Sequence, residues 1–322
     1  MRKLLALGAL LLVLAAIAGA LFLGSWSSAG PAAKPTAVIV KSGSSLAGAA
    51  ATLEQAGVLA SADTFLFQAK LLGTSRPIHA GEYEFPAGAS PSDVLALLQS
   101  GKTLQRFVTV PEGLPSVMVH DRLMRAATLT GTAPVPEEGS VLPDSYSYQR
   151  GEARAAVLKR MQDAMAKELD RLWAQKKPNS VVNSKREAII LASIVEKETG
   201  KPSERRMVAG VYSNRVRQGM KLDADPTVIY PITKGRPLGR RIRKSELQAN
   251  NGYNTYAMAG LPIGPIANPG RESIAAVLDP AETQALYFVA DGTGGHIFAN
   301  TLAEHNANVQ RWYALRRAKG EM

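Results

Sequence analysis

The first 23 residues hold one apolar run behind a short basic start. Met1-Arg2-Lys3 is followed by about twenty residues, Leu4 to Leu23, without a charged or strongly polar side chain. Such a run matches the hydrocarbon thickness of a bilayer and predicts a transmembrane anchor over residues 1–24. A cleaved signal peptide is the alternative, but its small-residue site, Ala18-Gly-Ala20, lies inside the run rather than after it.

The anchor also predicts where the rest of the chain lies. Basic residues precede the apolar run and none follows until Lys34, so we expect a short cytoplasmic N-terminus. In a bacterium this describes a single-pass protein of the inner (cytoplasmic) membrane with its bulk in the periplasmic or extracytoplasmic space. Residues 25–35 are rich in Gly, Ser, Pro and Ala and lack periodicity, which predicts a linker.

Strand and helix patterns follow one another over residues 36–104. Thr36 to Val40 alternates as a strand, Ser61 stands where a helix cap belongs, and Ala80 to Phe85 reads as a second strand. A further helix opens at Ser90 and ends near Gly101. The order strand, helix, helix, strand predicts a small α+β module. It resembles the LysM-like glycan-binding module, and a structural spacer is the alternative.

Longer helical patterns dominate residues 105–322, which we expect to form a larger α+β domain. The predicted elements are a strand at Arg106 to Val110 and helices from Pro115, at Glu152 to Gln175, Ser184 to Thr199 and Pro202 to Gln218, and from Thr301. Two stretches lack this periodicity and read as loop. They are Pro134 to Tyr148 and Lys221 to Phe298, the second with short strands.

One of these helices carries an acid within its apolar arc. On a helical wheel, Leu191, Ile194 and Val195 span about 240° to 340°, and Glu198 falls at about 280°. Glu196 falls at about 80°, which predicts a partly solvated surface acid. The two glutamates of E-K-E are therefore not equivalent.

The position of Glu198 has a chemical consequence. A carboxylate in apolar surroundings loses solvation and its pKa rises, as a general acid near neutral pH requires. Glu198 is therefore a candidate catalytic acid. Two other interpretations remain open: the last turn frays into solvent, or Glu198 is a buried acid paired with Arg205 or Arg206.

Composition narrows the chemistry further. The 322 residues include no cysteine and four histidines, none spaced as a metal-binding pair, so thiolate sites are excluded and a His-rich metal site is not expected. A net charge of +11 attracts polyanions such as nucleic acid, anionic lipid or cell-wall polymer. The predicted compartment argues against nucleic acid. His296 follows Gly294-Gly295, and a lone histidine of this kind is more often structural than part of a cleft.

Several long motifs occur in order from Pro111-Glu112-Gly113 to the C-terminus. They are L-A-S-I-V-E-K-E-T-G-K-P-S-E-R, V-A-G-V-Y-S-N-R-V-R-Q-G-M-K-L-D-A-D-P-T-V-I-Y, Y-N-T-Y-A-M-A-G-L-P-I-G-P-I-A-N-P-G and L-Y-F-V-A-D-G-T-G-G-H-I-F. Together they closely resemble the YceG-like family of endolytic murein transglycosylases. The predicted anchor and LysM-like module match the layout of that family.

The resemblance implies a specific activity. Members cut nascent peptidoglycan strands internally at MurNAc-GlcNAc bonds, leave 1,6-anhydro-MurNAc ends and are linked to ending glycan synthesis. The catalytic glutamate of the family is the second one of E-K-E-T, which is Glu198 here. No metal or organic cofactor is implied. Glycan strands are the implied substrate, and peptidoglycan synthases are candidate partners.

Four further residues are candidates for substrate binding. They are Asp225, Thr227, Asn254 and Tyr256, from the motifs D-P-T and Y-N-T-Y. Amide and phenol groups supply hydrogen bonds for sugar hydroxyls and N-acetyl groups. The alternatives are an Asx-type turn for D-P-T and ordinary packing for the tyrosines.

Two other functions remain open at this point. A hydrolytic muramidase would use a separate base, for which Asp144 and Asp225 are available. A catalytically silent glycan-binding scaffold of the wall-synthesis complex is the second. The E-K-E-T helix argues against a scaffold, because a scaffold needs no acid in an apolar arc.

Overall fold

The chain folds into two compact units, residues 1–106 and 107–322. The computed structural model describes residues 2–320, with the side chains of residue 10 and of residues 12–320. The two units are α+β in character, with helices and three two-stranded sheets in the described part of the chain.

Helix α1, Arg2–Ser27, opens the first unit. Within the described part of the chain, no helix is both long enough and apolar enough to cross a membrane. Part of the predicted anchor, namely Met1 and the side chains of residues 2–9 and 11, lies outside the described residues. The helix runs past Gly24 into the predicted linker, because the ring of Trp26 stacks on Phe65 with 6.2 Å between centroids.

The rest of the first unit encloses a small core of its own. Its elements are β1 Thr36–Val40, α2 Leu46–Gln55, α3 Ala62–Leu72, β2 Gly81–Phe85 and α4 Pro91–Ser100. The strands are antiparallel, with Val38 opposite Tyr83. The predicted cap at Ser61 is confirmed, since its side chain accepts the Thr64 N–H. Ser90 and Asp93 form a reciprocal capping box at α4.

The second unit is mostly helical. Its elements are β3 Arg106–Thr109, α5 Ser116–Arg125, β4 Ser145–Tyr148, α6 Arg154–Trp173, α7 Lys185–Glu198, a 3₁₀ turn Pro202–Glu204, α8 Arg205–Arg217, α9 Asp225–Thr233, α10 Lys244–Leu247, α11 Arg271–Leu278, β5 Tyr287–Ala290, β6 His296–Ala299 and α12 Leu302–Ala318. Helix α7 is central and packs against α8, α9 and α11. Every residue from 188 to 195 is buried, so α7 has no solvent-facing side over this stretch.

The two stretches expected to be loop contain regular structure. The polar stretch S-Y-S-Y forms β4, which pairs with β3. Helices α9, α10 and α11 lie between residues 221 and 298. They are short, and α9 has a proline at its start and Pro231 inside it, so the helical periodicity was too brief to detect.

Candidate active site

Glu198 is the last residue of α7, and its carboxyl end is enclosed. Thr199 ends the helix in an extended conformation, one residue before the predicted stop at Gly200. The residue as a whole is half-buried. Its Oε1 atom is fully covered and has no hydrogen-bond partner among the described residues. An uncompensated carboxyl oxygen of this kind disfavours ionisation.

The surroundings of Glu198 hold its proton near neutral pH. Burial and the nearby negative charge of Asp225 raise the pKa of Glu198 to about 7, and a hydrogen bond from Tyr212 works in the opposite direction. The alternative interpretation, a buried ion pair of Glu198 with Arg205 or Arg206, does not hold. Arg205 contacts Glu112 and Glu196, and Arg206 contacts Asp279. Glu198 is therefore placed to act as a general acid.

Asp225 and Tyr256 form a pair close to Glu198. Asp225 is the first residue of α9 and is exposed. The Tyr256 hydroxyl donates to Asp225 Oδ1 at 2.7 Å. Burial, this hydrogen bond and the negative charges of Asp225, Asp223 and Glu198 raise the pKa of the Tyr256 phenol. The structure therefore brings three of the predicted site residues together.

Thr227 and Asn254 lie behind this pair and are fully buried. The Thr227 hydroxyl donates to the Ala224 carbonyl at 2.6 Å and lies 2.9 Å from the Thr255 hydroxyl. Asn254 donates through Nδ2 to backbone carbonyls of residues 246, 247 and 249, and its Oδ1 accepts the Tyr256 N–H at 2.9 Å. Neither side chain has exposed surface to offer a sugar. Their contacts fix the position of the Tyr256 backbone and of the start of α9.

Glu196 is not the surface acid that the helical wheel predicts. Its side chain is 5% exposed, and its Oε1 lies 3.6 Å from Arg205 Nη2. Its Oε2 accepts the Gly270 N–H at 2.8 Å. The same Arg205 nitrogen donates to Glu112 Oε2 at 2.9 Å. The prediction was wrong because the flank of α7 is covered by segments distant in sequence, which a wheel cannot show.

Tyr212 was not predicted as a site residue. It lies on α8, is 2% exposed and contacts Glu198. Burial and the charge of Glu198 raise the pKa of its phenol well above the ordinary value. The spacing of Val208, Val211, Tyr212 and Arg215 along α8 marks an inward face and was the available signal.

Arg215 orders the chain that leads to Asp225. Its Nη1 donates to the carbonyls of Lys221 and Leu222 at 3.0 and 3.1 Å and to Asp223 Oδ2 at 3.0 Å. Asp223 has a φ of 52°, which is unusual for a residue other than glycine. The buried guanidinium holds this left-handed residue two positions before Asp225.

The other candidate groups lie in different surroundings. Asp144 Oδ2 pairs with Arg271 Nη2 at 2.7 Å, and this hydrogen bond is the main reason why the pKa of Asp144 is lowered. Its contacts do not include Glu198, so Asp225 is the second carboxylate of the site. In the part of the chain that the structure describes, no group of three or more His, Asp or Glu side chains is arranged to hold a metal ion.

Comparisons with known proteins show which proteins the whole chain is similar to. Residues 38–311 match the model of the YceG-like family. The chain is 28% identical to a Bacillus subtilis (strain 168) protein named endolytic murein transglycosylase, over 87% of this chain and 85% of that protein. A protein of the same name from Streptococcus pneumoniae serotype 2 (strain D39 / NCTC 7466) is also 28% identical, over 86% of this chain but 58% of its own length. A crystal structure of a YceG-like protein from Listeria monocytogenes aligns with a TM-score of 0.53 at 28% identity, over 85% of this chain and 98% of that one.

Proposed function

Because the chain belongs to the YceG-like family, we propose that it is an endolytic peptidoglycan lytic transglycosylase. It cleaves nascent glycan strands at MurNAc-GlcNAc bonds, produces 1,6-anhydro-MurNAc ends and so terminates glycan elongation. The names of the relatives support murein transglycosylase chemistry. The observation that carries the assignment to a residue is the enclosed Glu198 carboxyl with its unpartnered Oε1.

The proposed reaction uses one carboxyl group twice. Glu198 first donates its proton to the glycosidic oxygen as the bond from the anomeric carbon to that oxygen breaks. The MurNAc 6-hydroxyl oxygen then attacks the anomeric carbon, and its proton passes to the Glu198 carboxylate. The N-acetyl oxygen of the substrate stabilises the positive charge that develops between these steps. No water is consumed, and the enzyme ends in its starting protonation state.

Asp225 and Tyr256 have the accessible surface that substrate contact requires. Asp225 is exposed and Tyr256 is half-buried, so their polar atoms can meet sugar hydroxyls. We assign Thr227 and Asn254 to positioning this pair rather than to sugar contact, because both are fully buried.

Hydrolysis is the second candidate activity, and Asp225 is the observation that favours it. A carboxylate near the acid can activate a water molecule, as the base of an inverting glycosidase does. Mass spectrometry of the products from purified glycan strands separates the two activities. A 1,6-anhydro end supports the lyase, and a reducing end, heavier by one water, supports the hydrolase. Intact strands would contradict both and favour a silent glycan-binding scaffold.

We further propose that the protein acts at the outer face of the bacterial inner membrane. The support is the uncharged run from Leu4 to Leu23 and the basic residues before it. In this arrangement residues 1–24 are a single-pass anchor, and residues 36–104 are a LysM-like module that holds the glycan. Peptidoglycan synthases are the expected partners, because the substrate is the strand that they make. In inverted membrane vesicles, which expose the cytoplasmic face, added protease should leave residues 25–322 intact, and digestion of that part would contradict the orientation.

A further inference from the structure

The β5–β6 hairpin carries a histidine that the proposed reaction does not use. Phe288 pairs with Phe298 and Ala290 pairs with His296 across the two antiparallel strands. Residues two apart on a strand point to the same face, so Phe288, His296 and Phe298 share one face of the hairpin. Their rings are in contact, with 5.1 Å between the centroids of Phe288 and His296.

His296 also contacts the segment that follows α7. Glu204, which is 8% exposed, accepts the His296 N–H through Oε1 at 3.1 Å, and its Oε2 lies 2.7 Å from His296 Nδ1. Burial alone would raise the pKa of Glu204, but the hydrogen bonds from His296 and Lys201 outweigh it and lower the pKa. Because the carboxylate is the acceptor, Nδ1 carries the hydrogen.

The glycine before the histidine shows how closely the hairpin approaches. A Cβ atom at Gly295 would lie 2.4 Å from Glu204 Oε1 and 2.8 Å from Lys201 Nζ. A side chain at this position would therefore displace the Glu204 carboxylate and the Lys201 ammonium from their places against the hairpin. The charged groups around His296 are Glu204 and Lys201 on the segment after α7 and Asp291 in the hairpin turn.

On its other side, Phe288 contacts Tyr212, the neighbour of the candidate acid. The Phe288 ring meets the Tyr212 ring edge-on, with centroids 5.8 Å apart and an angle of 85° between planes. Tyr212 is the buried tyrosine that contacts Glu198. His296 is thus connected to Glu198 by two routes, through Phe288 and Tyr212 and through Glu204 on the segment that leaves α7.

We propose that His296 is a positioning residue, which fixes the hairpin on Glu204 so that Phe288 holds Tyr212 against the Glu198 carboxyl. This inference rests on the proposed function of Glu198. It gives His296 no contact with substrate and no proton of the reaction. Removal of the Nδ1 hydrogen bond is expected to displace Tyr212 and to change kcat rather than KM.

The test uses the full chain in detergent and three variants, two at His296 and one at His305. His296→Phe keeps a ring but loses the bond to Glu204, and we expect kcat to fall about 10-fold at unchanged KM, as for a small misplacement of a catalytic group. His296→Asn keeps a nitrogen donor near the Nδ1 position and should recover part of kcat. His305→Phe is the matched control. His305 stacks on Tyr287, on the other face of the hairpin, at 5.2 Å, and its replacement should leave kcat unchanged.

A double-mutant cycle shows whether His296 acts through Tyr212. If it does, Tyr212→Phe itself lowers kcat about as much as His296→Phe, and His296→Phe added to Tyr212→Phe lowers kcat no further. Independent, multiplying effects would overturn the proposal, as would a raised KM with unchanged kcat in His296→Phe. If His296→Phe does not fold, Glu204→Gln replaces it in the same cycle with the same expected result. A wild-type chain that cleaves no glycan would instead refute the proposed function, and an unchanged His296→Phe beside an active wild type refutes this inference alone.

Discussion

The two glutamates at the end of α7 show how differently a fold can treat two neighbouring acids. Glu196 is paired with Arg205 and accepts the Gly270 N–H. Glu198 is also enclosed, but the charge that acts on it is that of another acid, Asp225, and its Oε1 has no partner among the described residues. Burial is common to both residues, so burial alone does not distinguish a candidate general acid. The partners of the two carboxyl groups do: Glu196 meets a guanidinium and a backbone N–H, and Glu198 lies beside a second acid.

The largest effect is expected for Glu198→Gln. Glutamine keeps the shape but has no proton to transfer, and general acid–base catalysis is worth about 10²–10⁴-fold. Because Glu198 is the single proton carrier of the proposed reaction, we expect the loss of kcat to reach the upper end of this range. Release of anhydro-MurNAc ends by the full chain measures it. An active Glu198→Gln protein would remove the basis of the assignment.

The same variant has a predicted effect on stability. The pKa of Glu198 is about 7 in the folded protein against an ordinary value of 4.5, so the folded state binds this proton more tightly than the unfolded chain. The stabilisation is complete below pH 4.5 and is lost as the pH rises through 7. Above pH 7 the free energy of unfolding of Glu198→Gln should therefore exceed that of the wild type, by on the order of a few kcal/mol at most, and the variant should melt at a higher temperature.

Glu196→Gln should lower the stability of the protein and leave its activity nearly unchanged, the opposite of Glu198→Gln. It keeps an acceptor for the Gly270 N–H but leaves Arg205 with Glu112 as its remaining acidic partner. We expect the free energy of unfolding to fall by about 2 kcal/mol, as for loss of a hydrogen bond to a charged group. Activity per folded molecule should change little. Glu112→Gln is the control, since the Glu112 side chain is 44% exposed and its pair is worth less than about 1 kcal/mol. Equal melting temperatures of Glu196→Gln and the wild type would contradict the stabilising role of Glu196.

Asp225→Asn should shift the pH dependence of cleavage. The negative charge of Asp225 raises the pKa of Glu198, so its removal lowers that pKa and moves the high-pH decline of kcat to lower pH by about one unit. The shift should shrink at high salt, because Asp225 is exposed. Asp279→Asn serves as the control, since Asp279 is paired with Arg206. An unshifted decline in Asp225→Asn would show that the two carboxyl groups are not coupled.

The smallest shift of the pH profile is expected for Tyr212→Phe, and it runs in the direction opposite to that of Asp225→Asn. The Tyr212 hydrogen bond lowers the pKa of Glu198, so its loss should move the high-pH decline upward by about half a unit. Tyr230→Phe is a matched control, because the Tyr230 hydroxyl interacts with Glu138 instead. The pH profile of kcat measures both variants. A downward shift in Tyr212→Phe would mean that water reaches Glu198 when the hydroxyl is lost.

The sequence predicted what depends on local pattern. The strand Thr36–Val40, the cap at Ser61 and the long helices follow from periodicity and capping chemistry, and the structure confirms them. Glu198 was chosen as the candidate acid because it lies within an apolar arc of α7. The helical wheel did not predict that Glu196 is buried, because Arg205 and Gly270 contact its side chain from other parts of the fold.

Other features required the three-dimensional structure for the same reason. The roles of Thr227 and Asn254 depend on which atoms their polar groups meet, and these are Thr255 and the backbone of residues 246–249. The contact of Tyr212 with Phe288 joins α8 to a hairpin that follows more than seventy residues later. Residue type restricts such partners but does not select among them.

The position of Glu198 at the very end of α7 has an electrostatic consequence. The peptide dipoles of this 14-residue helix add up to about half a negative charge at its C-terminal end. This potential opposes a second negative charge on the carboxyl group and so helps it to keep its proton. It also attracts positive charge, which develops at the anomeric carbon of a bound sugar as the glycosidic bond breaks. Helix α7, which carries the proton donor, would thus also stabilise the positively charged sugar that forms once Glu198 has given up its proton.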